Sequence, residues 1–385
     1  MLRFITAGES HGPALTAIIE GLPAGVSIDS EIINSELVRR QQGFGRGGRM
    51  LIEKDKAEIV SGVRFGQTLG SPLTLMITNR DWVNWQERMS QFGSPTGQPV
   101  TAPRPGHADL PGALKYRRQD IRDILERASA RETAARVAGG AVCKQLLAAV
   151  GIRVASHIVN IGGVTAEVVP KGYEDIIANK VNSELGCIDA KAERKMKEAI
   201  FEAKEQGDSL GGIFEVVAYG VMPGLGSHVQ WDRRLDTRLA GAMMSIQAIK
   251  GVEFGTGFDC ANRLGSLVHD EIYYDSQKGY YRETNNAGGI EGGIANGEAI
   301  VIRAAMKPIP TLMKPLLSVD IVSKTPIKAN TERSDVCAVT AAAVVGESMT
   351  AYILAEALLD KFGGDTMVEV KSRIAQYREY IQKGS

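Results

Sequence analysis

Short runs of alternating apolar and polar positions fill the opening third of the chain and break at glycines. Leu15-Thr-Ala-Ile-Ile19 before Gly21-Leu-Pro23 predicts a strand with a turn behind it. Residues 59–63 and 71–78 predict two more, the second ending at the charged Asn79-Arg-Asp81. Between them, Ser30–Gln41 has helical spacing: Ile33 and Leu37 share a face, and Ser30 stands where an N-cap is wanted. Strands are predicted again at 153–159, 212–221 and 298–305. Three further segments lack any wide polar face. One opens with the capping box Ser129-Ala-Arg-Glu132 and runs to Gly151. Another runs from Asp335 through Cys337-Ala-Val-Thr-Ala-Ala-Ala-Val-Val345 to Leu359, with Gly363 beyond, and the third, 235–249, contains Ala-Gly-Ala-Met-Met. Helices so rich in Ala and Gly belong in the interior, with neighbouring backbones in close approach. Polar helices at 192–206 and 366–382 belong at the periphery.

No Gly/Ser-rich or Pro-rich linker divides the 385 residues, so 1–385 reads as a single interlocked α+β domain. Arg127-Ala-Ser129 leads into one Ala-rich helix and Arg333-Ser-Asp335 into the other, a parallel that raises an internal pseudo-duplication. Glycine, at 43 residues, is well above the usual ~7%, while aromatics are only 6%, which again favours close backbone packing over aromatic filling. With 45 Lys+Arg against 45 Asp+Glu, bulk attraction to nucleic acid or membrane is not expected. Cys143, Cys187, Cys260 and Cys337 form no CxxC pair, against a zinc ribbon or redox dithiol. Cys143 and Cys337, in Ala-rich surroundings, read as buried hydrophobes in a reducing compartment. The N-terminus has no apolar leader segment and no apolar run reaches roughly 18 residues, so the expectation is a soluble, cytoplasmic protein.

The densest cationic stretch is Gln42-Gly-Phe-Gly-Arg-Gly-Gly-Arg49, with Arg39 and Arg40 before it. Glycines let such a loop wrap an anion, and arginine pairs bidentately with phosphate or carboxylate. A solvated basic loop or an RNA contact has the same composition. It is not a Walker A loop, because no Gly-Lys-Ser/Thr follows. His11, in Gly8-Glu-Ser-His11-Gly, and His107, in Arg104-Pro-Gly-His107-Ala-Asp109, sit in glycine-flanked turns and are acid–base candidates; a hydrogen-bonded turn histidine is the plainer alternative. Neither has a second ligand at helical spacing, so no metal is expected. His157, His228 and His269 have less distinctive settings. Arg127, Ser129 and Arg131 cluster at a helix N-terminus, where free N–H groups and the helix dipole favour an anion. Lys307-Pro-Ile-Pro-Thr311 is a stiff lysine-bearing segment at a strand end, and Thr331-Glu-Arg333-Ser-Asp335 sets a carboxylate at a helix start, where it would also serve as a cap.

Taken together these segments are more telling. Gly8-Glu-Ser-His-Gly-Pro with Leu15-Thr-Ala-Ile-Ile-Glu-Gly-Leu-Pro23, then Glu126-Arg-Ala-Ser-Ala-Arg-Glu-Thr133, then Arg333-Ser-Asp-Val-Cys337 through Gly346-Glu-Ser-Met349, resemble the three signatures of the chorismate synthase family. Phe44-Gly-Arg-Gly-Gly-Arg-Met50, Arg104-Pro-Gly-His-Ala-Asp109 and Lys307-Pro-Ile-Pro-Thr311 are similar to that family too. The resemblance runs in order over almost the whole chain. It implies a β-α-β sandwich with a helical core, assembled as a homotetramer. It implies an anti 1,4-elimination of phosphate and the C6 proton from 5-enolpyruvylshikimate 3-phosphate, giving chorismate and requiring reduced FMN. Arg40, Arg46, Arg49, Arg104 and Arg131 would hold the substrate, Arg40 and Arg46 being the positions also linked to NADPH. Arg127, Ala128, Ser129, Gln247, Ala248, Gly292, Lys307, Pro308, Ile309, Pro310, Thr311 and Arg333 match FMN contacts. His11 resembles the acid that protonates departing phosphate, His107 the residue that protonates reduced flavin, and Asp335 the carboxylate that helps flavin N5 take the C6 proton. On charge alone, the surrounding arginines are expected to oppose a positive charge on either histidine. The competing reading is a non-catalytic RNA- or phosphate-binding protein that uses the basic 39–49 loop.

Overall fold

Alternation resolves into two antiparallel sheets in the computed structural model, which describes residues 1–47, 52–277, 279–332 and 334–383. Strands Arg3–Ala7 (β1), Ala14–Glu20 (β2), Glu58–Ser61 (β3) and Leu73–Thr78 (β4) pair in the order β1-β2-β4-β3. Strands Arg153–Ile161 (β5), Val164–Thr165 (β6), Gly212–Tyr219 (β7), Ile249–Phe254 (β8) and Ile300–Met306 (β9) pair in the order β8-β9-β7-β5-β6. The period of two is plain in β4, where Leu73, Leu75 and Ile77 are buried and the residues between them are less so.

The helices are Ser30–Gln41 (α1), Asp109–Tyr116 (α2), Arg122–Ala128 (α3), Thr133–Ala148 (α4), Tyr173–Lys180 (α5), Ala190–Glu205 (α6), Leu235–Met244 (α7), Val339–Phe362 (α8) and Met367–Lys383 (α9). Small residues explain how α4 and α8 cross at the centre. A Cβ on Gly140 would come within 2.3 Å of the Ser348 side chain, so the two backbones touch there. Gly139 likewise admits the ring of Phe4 from the first sheet, and Gly346 admits Phe214 from the second. The layers therefore run from first sheet to α4, to α8, to second sheet. By length and composition α8 is apolar enough to cross a bilayer, which a search for an unbroken apolar run does not catch. Here α1, α4, α7 and the second sheet cover it, and it is a core helix.

Several boundaries differ from the sequence reading, each for a physical reason. Asp29, not Ser30, caps α1, accepting from the Glu31 N–H. Ser129 caps only a single 3-10 turn, Ala130–Glu132, by accepting from Arg131 N–H; the Glu132 carboxylate is held instead by Thr6, Arg136 and Gln247. The 235–249 helix ends at Met244, and Ala248, in a left-handed conformation at φ +67°, turns the chain into β8. The last core helix begins at Val339 and not at Asp335, because residues 336–337 are held in a β-bridge against Leu210, whose N–H the Val336 carbonyl accepts. Cys143 and Cys337 are buried and free, as read; Cys187 is buried as well, and Cys260 is exposed. Burial pushes the Cys143 thiol up to about 12, which makes it inert.

Candidate active site

The N-terminal turns of α4 and α8 open into one cleft of about 380 Å³. Both supply helix ends that favour negative charge. Around them, loops carry cations whose carboxylate partners are mostly buried. Arg40, on the last turn of α1, donates to Asp55 at 2.7 Å; Arg131 donates to both Asp55 oxygens at 2.6 and 2.7 Å and to Asn79 Oδ1 through two nitrogens. Burial pushes Arg40 down to about 10, Asp55 opposes this and Arg131 adds to it. Arg131 also approaches the buried Glu53 to 3.7 Å, so two guanidiniums share two carboxylates, and Arg40 Nε has no partner among the described residues. Arg46 donates to Asp335 at 2.8 Å, and Gly47 N–H donates to the other Asp335 oxygen at 2.6 Å. Arg104 meets Asp109 through Nε at 2.8 Å and Thr311 through Nη1 at 3.0 Å.

Each candidate histidine meets a carboxylate first, which corrects the picture of rings surrounded by arginine. His11 Nδ1 lies 2.9 and 3.0 Å from the Glu126 oxygens, and its ring stacks on Trp85 at 4.0 Å. His107 Nδ1 lies 2.6 Å from Asp109, although Arg104 Nη2 also approaches it to 3.1 Å. Burial raises Glu126, but hydrogen bonds and charge from His11, with Arg122, outweigh it and hold the carboxylate below its usual range. Asp109 is also held well below that range, burial again being outweighed by His107 and Arg104.

Of the positions singled out from sequence, His11, Arg40, Arg46, Arg104, His107, Ala128, Ser129, Arg131, Gln247, Ala248, Lys307, Ile309, Pro310, Thr311 and Asp335 line this one cleft. Arg49 and Arg333 lie outside the described residues. Three positions do not reach the cleft wall. Arg127 turns back onto β1, donating to the carbonyls of Thr6 and Gly8, Pro308 is exposed, and Gly292 sits at the tip of the Ile290–Ala295 hairpin. Lys307 donates to Gly106 O; burial and then Lys250 push its ammonium down.

Sequence reasoning missed the acidic half of the site. Asp55, Asp109, Glu126 and Glu332 hold the cations, and Trp85 covers His11. The available signal was their place inside or beside the quoted motifs, as with Glu126 and Asp109. The described part of the basic stretch, 39–47, is also less exposed than composition suggests. Arg39 leaves the cleft entirely and, with Lys144 and Lys180, binds the buried Glu347. A basic face for RNA needs solvated cations, and Arg39, Arg40 and Arg46 are all paired with carboxylates inside the protein.

These depressed carboxylates set an acid limit on stability. Asp55, Asp109, Glu126, Glu215 and Glu347 all titrate lower folded than unfolded, so their contribution is full above the unfolded values and drains as pH falls through the folded ones. The urea midpoint should therefore drop steadily once pH falls below about 4.3, the ordinary carboxylate range. A midpoint unchanged between pH 7 and pH 3 would mean that the pairs do not contribute.

Comparison with known proteins points to one family. The family model described as chorismate synthase matches residues 2–359. The chorismate synthase of Geobacter sulfurreducens is 60% identical over 99% of this chain and 100% of its own length. That of Desulforamulus reducens is 59% identical over 100% of both. A solved structure titled as the crystal structure of chorismate synthase superposes with a TM-score of 0.81 at 48% identity, covering 99% of this chain and 98% of that one. With the family model and full-length relatives in agreement, this chain belongs to the chorismate synthase family.

Proposed function

We propose that this chain converts 5-enolpyruvylshikimate 3-phosphate to chorismate by anti 1,4-elimination, in the cleft at the α4 and α8 N-termini. The observation that carries the reading is the convergence of Arg40, Arg46, Arg104 and Arg131 with two carboxylate-braced histidines on one cavity. A substrate with two carboxylates and a phosphate needs such a concentration of donors in a chain of zero net charge. Arg46 and Arg104 orient these anionic groups, while Arg131, whose guanidinium is taken up by Asp55 and Asn79, adds its charge to the wall behind them. His11 gives a proton to the departing phosphate. His107 and Asp335 handle protons on the flavin side of the cleft.

The residues present also fit FMN. Gln247 Oε1 is buried without a partner among the described residues, while its Nε2 is held by Glu132 at 3.3 Å, which leaves an acceptor suited to a flavin ring N–H. Ala128, Ser129, Ala248 and the 309–311 segment would hold the ring, and Lys307 would balance negative charge on it. Reduced FMN, when bound, supplies an electron-rich ring to a reaction that is redox-neutral overall. NADPH is the candidate reductant for that flavin; the positions linked to it, Arg40 and Arg46, are already paired with Asp55 and Asp335.

We read the fold as a β-α-β sandwich built by internal pseudo-duplication. Reading β1, β2, β3, β4 as a, b, c, d, the first sheet runs c-d-b-a; reading β5, β7, β8, β9 the same way, so does the second. In each half the Ala-rich helix follows strand d, with α1 or α7 between b and c. Exposed Phe258, Leu264, Leu267 and Ile272 suit burial in a homotetramer. A cytoplasmic setting agrees with four free cysteines. The deciding experiment is an anaerobic assay with dithionite-reduced FMN and the enolpyruvyl substrate. Chorismate absorbance and inorganic phosphate should rise together; phosphate without chorismate, or neither, would defeat the reading.

A further inference from the structure

We propose that Glu126 is the positioning residue of His11, fixing its tautomer so that Nε2 is the nitrogen that exchanges a proton in the cleft. The inference rests on the reading of His11 as an acid and deepens it. Glu126 lies on α3 and is only 2% exposed, yet it takes three hydrogen bonds from groups outside its own backbone. Its Oε2 accepts the His11 peptide N–H at 2.8 Å, and both oxygens lie within 3.0 Å of His11 Nδ1. Arg122 Nη1 reaches Oε1 at 2.6 Å. An ionised carboxylate only accepts, so Nδ1 facing it must carry a proton. Nε2, left for the cleft, takes a second proton from solvent. The imidazolium so formed, its charge balanced by Glu126, is the acid that gives the Nε2 proton to the departing phosphate.

The ring plane is fixed as well as the tautomer. Trp85 stacks on His11 with centroids 4.0 Å apart and planes 27° from parallel. The guanidinium of Arg122 lies 4.9 Å from the Trp85 ring and closes the circuit back to Glu126. Trp85 is itself anchored by its indole N–H to Asp81 at 3.0 Å. His11, Glu126, Arg122 and Trp85 thus form a closed cycle of contacts drawn from the 8–13 loop, α3 and the turn after β4. One side of the ring is committed to this cycle, and its remaining nitrogen belongs to a residue that lines the cavity.

A plain clamp on the loop would explain the peptide N–H bond but not the ring bond, and Glu126→Gln separates the two. Glutamine keeps the shape but has a single acceptor oxygen. Both carboxylate positions reach Nδ1, so the amide can turn either its oxygen or its NH2 to the ring, and the Nδ1–H tautomer is no longer enforced. The test is ¹⁵N NMR of protein labelled at the histidine rings, with the His11 signals assigned by their loss in His11→Ala. At a pH high enough to neutralise the ring, wild-type protein should show a single tautomer with Nδ1 protonated and Nε2 bare, and Glu126→Gln a mixture that contains the Nε2–H form. Its kcat should fall about 10- to 100-fold, part of the 10²–10⁴ typical of acid–base catalysis, with KM within about twofold. Glu126→Asp, which retains the charge, should restore the wild-type tautomer and part of the rate. A neutral wild-type ring protonated at Nε2, or a Glu126→Gln protein with unchanged tautomer and turnover, overturns the proposal. A His11→Ala enzyme with full turnover would instead overturn the reading of His11 on which it rests.

Discussion

Asp335→Asn should fold, bind oxidised FMN as the wild type does, and turn over about 10²–10⁴-fold more slowly, the scale for losing a group that handles a proton in the rate-limiting step. The sequence left capping as the rival role for Asp335, and the structure removes it. Helix α8 begins at Val339, and Ala338 occupies its cap position. Asp335 instead accepts from Gly47 N–H and Arg46, so its carboxylate is tied to the 43–47 loop at the cleft wall. Asparagine still offers an oxygen to Gly47 but turns an uncharged amide toward Arg46. The rival is therefore a clasp that only holds the loop, and Arg46→Ala distinguishes the two. A clasp predicts equal losses in the two single variants and no further loss in the double, because both break one contact. A proton-handling Asp335 predicts a kcat defect larger than that of Arg46→Ala, whose main effect would be on KM. Single-turnover measurements with pre-reduced FMN give both numbers. Near wild-type kcat in Asp335→Asn would move the proton path elsewhere.

What the sequence made legible was whatever depends on local pattern. The Ala/Gly runs announce α4 and α8 as interior because Gly140 and Gly346 have meaning only where another element presses close. Arginine type and glycine spacing likewise marked Arg40, Arg46, Arg104 and Arg131 as anion binders, and all four line one cleft. The failures have a common cause in long-range pairing. Arg39 and Arg40 are neighbours in sequence, yet a helix turns them about 100° apart, and one faces Glu347 while the other faces Asp55. Residues 335–338 have helical composition, but the Val336 carbonyl accepts the Leu210 N–H and Cys337 bridges Leu210, so this stretch is tied to another segment and the helix starts after it. Arg127 sits in a signature motif beside Ser129, and one turn of α3 directs it outward to Thr6 and Gly8. Which carboxylate answers which cation is a property of the assembled sheets and helices, and no periodicity records it.

Arg131→Met should cost about 3–5 kcal/mol of stability, the range for breaking a buried ion pair by removing one partner. Arg131 is 4% exposed and spends its guanidinium inside the protein: two bonds to Asp55, two to Asn79 Oδ1, and an approach of 3.7 Å to Glu53. Methionine replaces the aliphatic stem and little of the cavity volume, so the loss is chiefly electrostatic. Asp55 would be left with Arg40 alone, in a site where burial already works against its charge. Against a total stability of about 5–15 kcal/mol this is a large fraction, visible as a lower urea midpoint at pH 7. The double variant Arg131→Met with Asp55→Asn should recover part of it, since the stranded carboxylate is gone, and the two effects should fall short of additive by about 0.5–3 kcal/mol. Recovery cannot be complete, because Arg40 then loses its own partner. An Arg131→Met midpoint equal to wild type would show that Arg40 alone satisfies Asp55. Arg131 would then be held in place for the bound anion and not for the fold, and its loss should appear only as a raised KM.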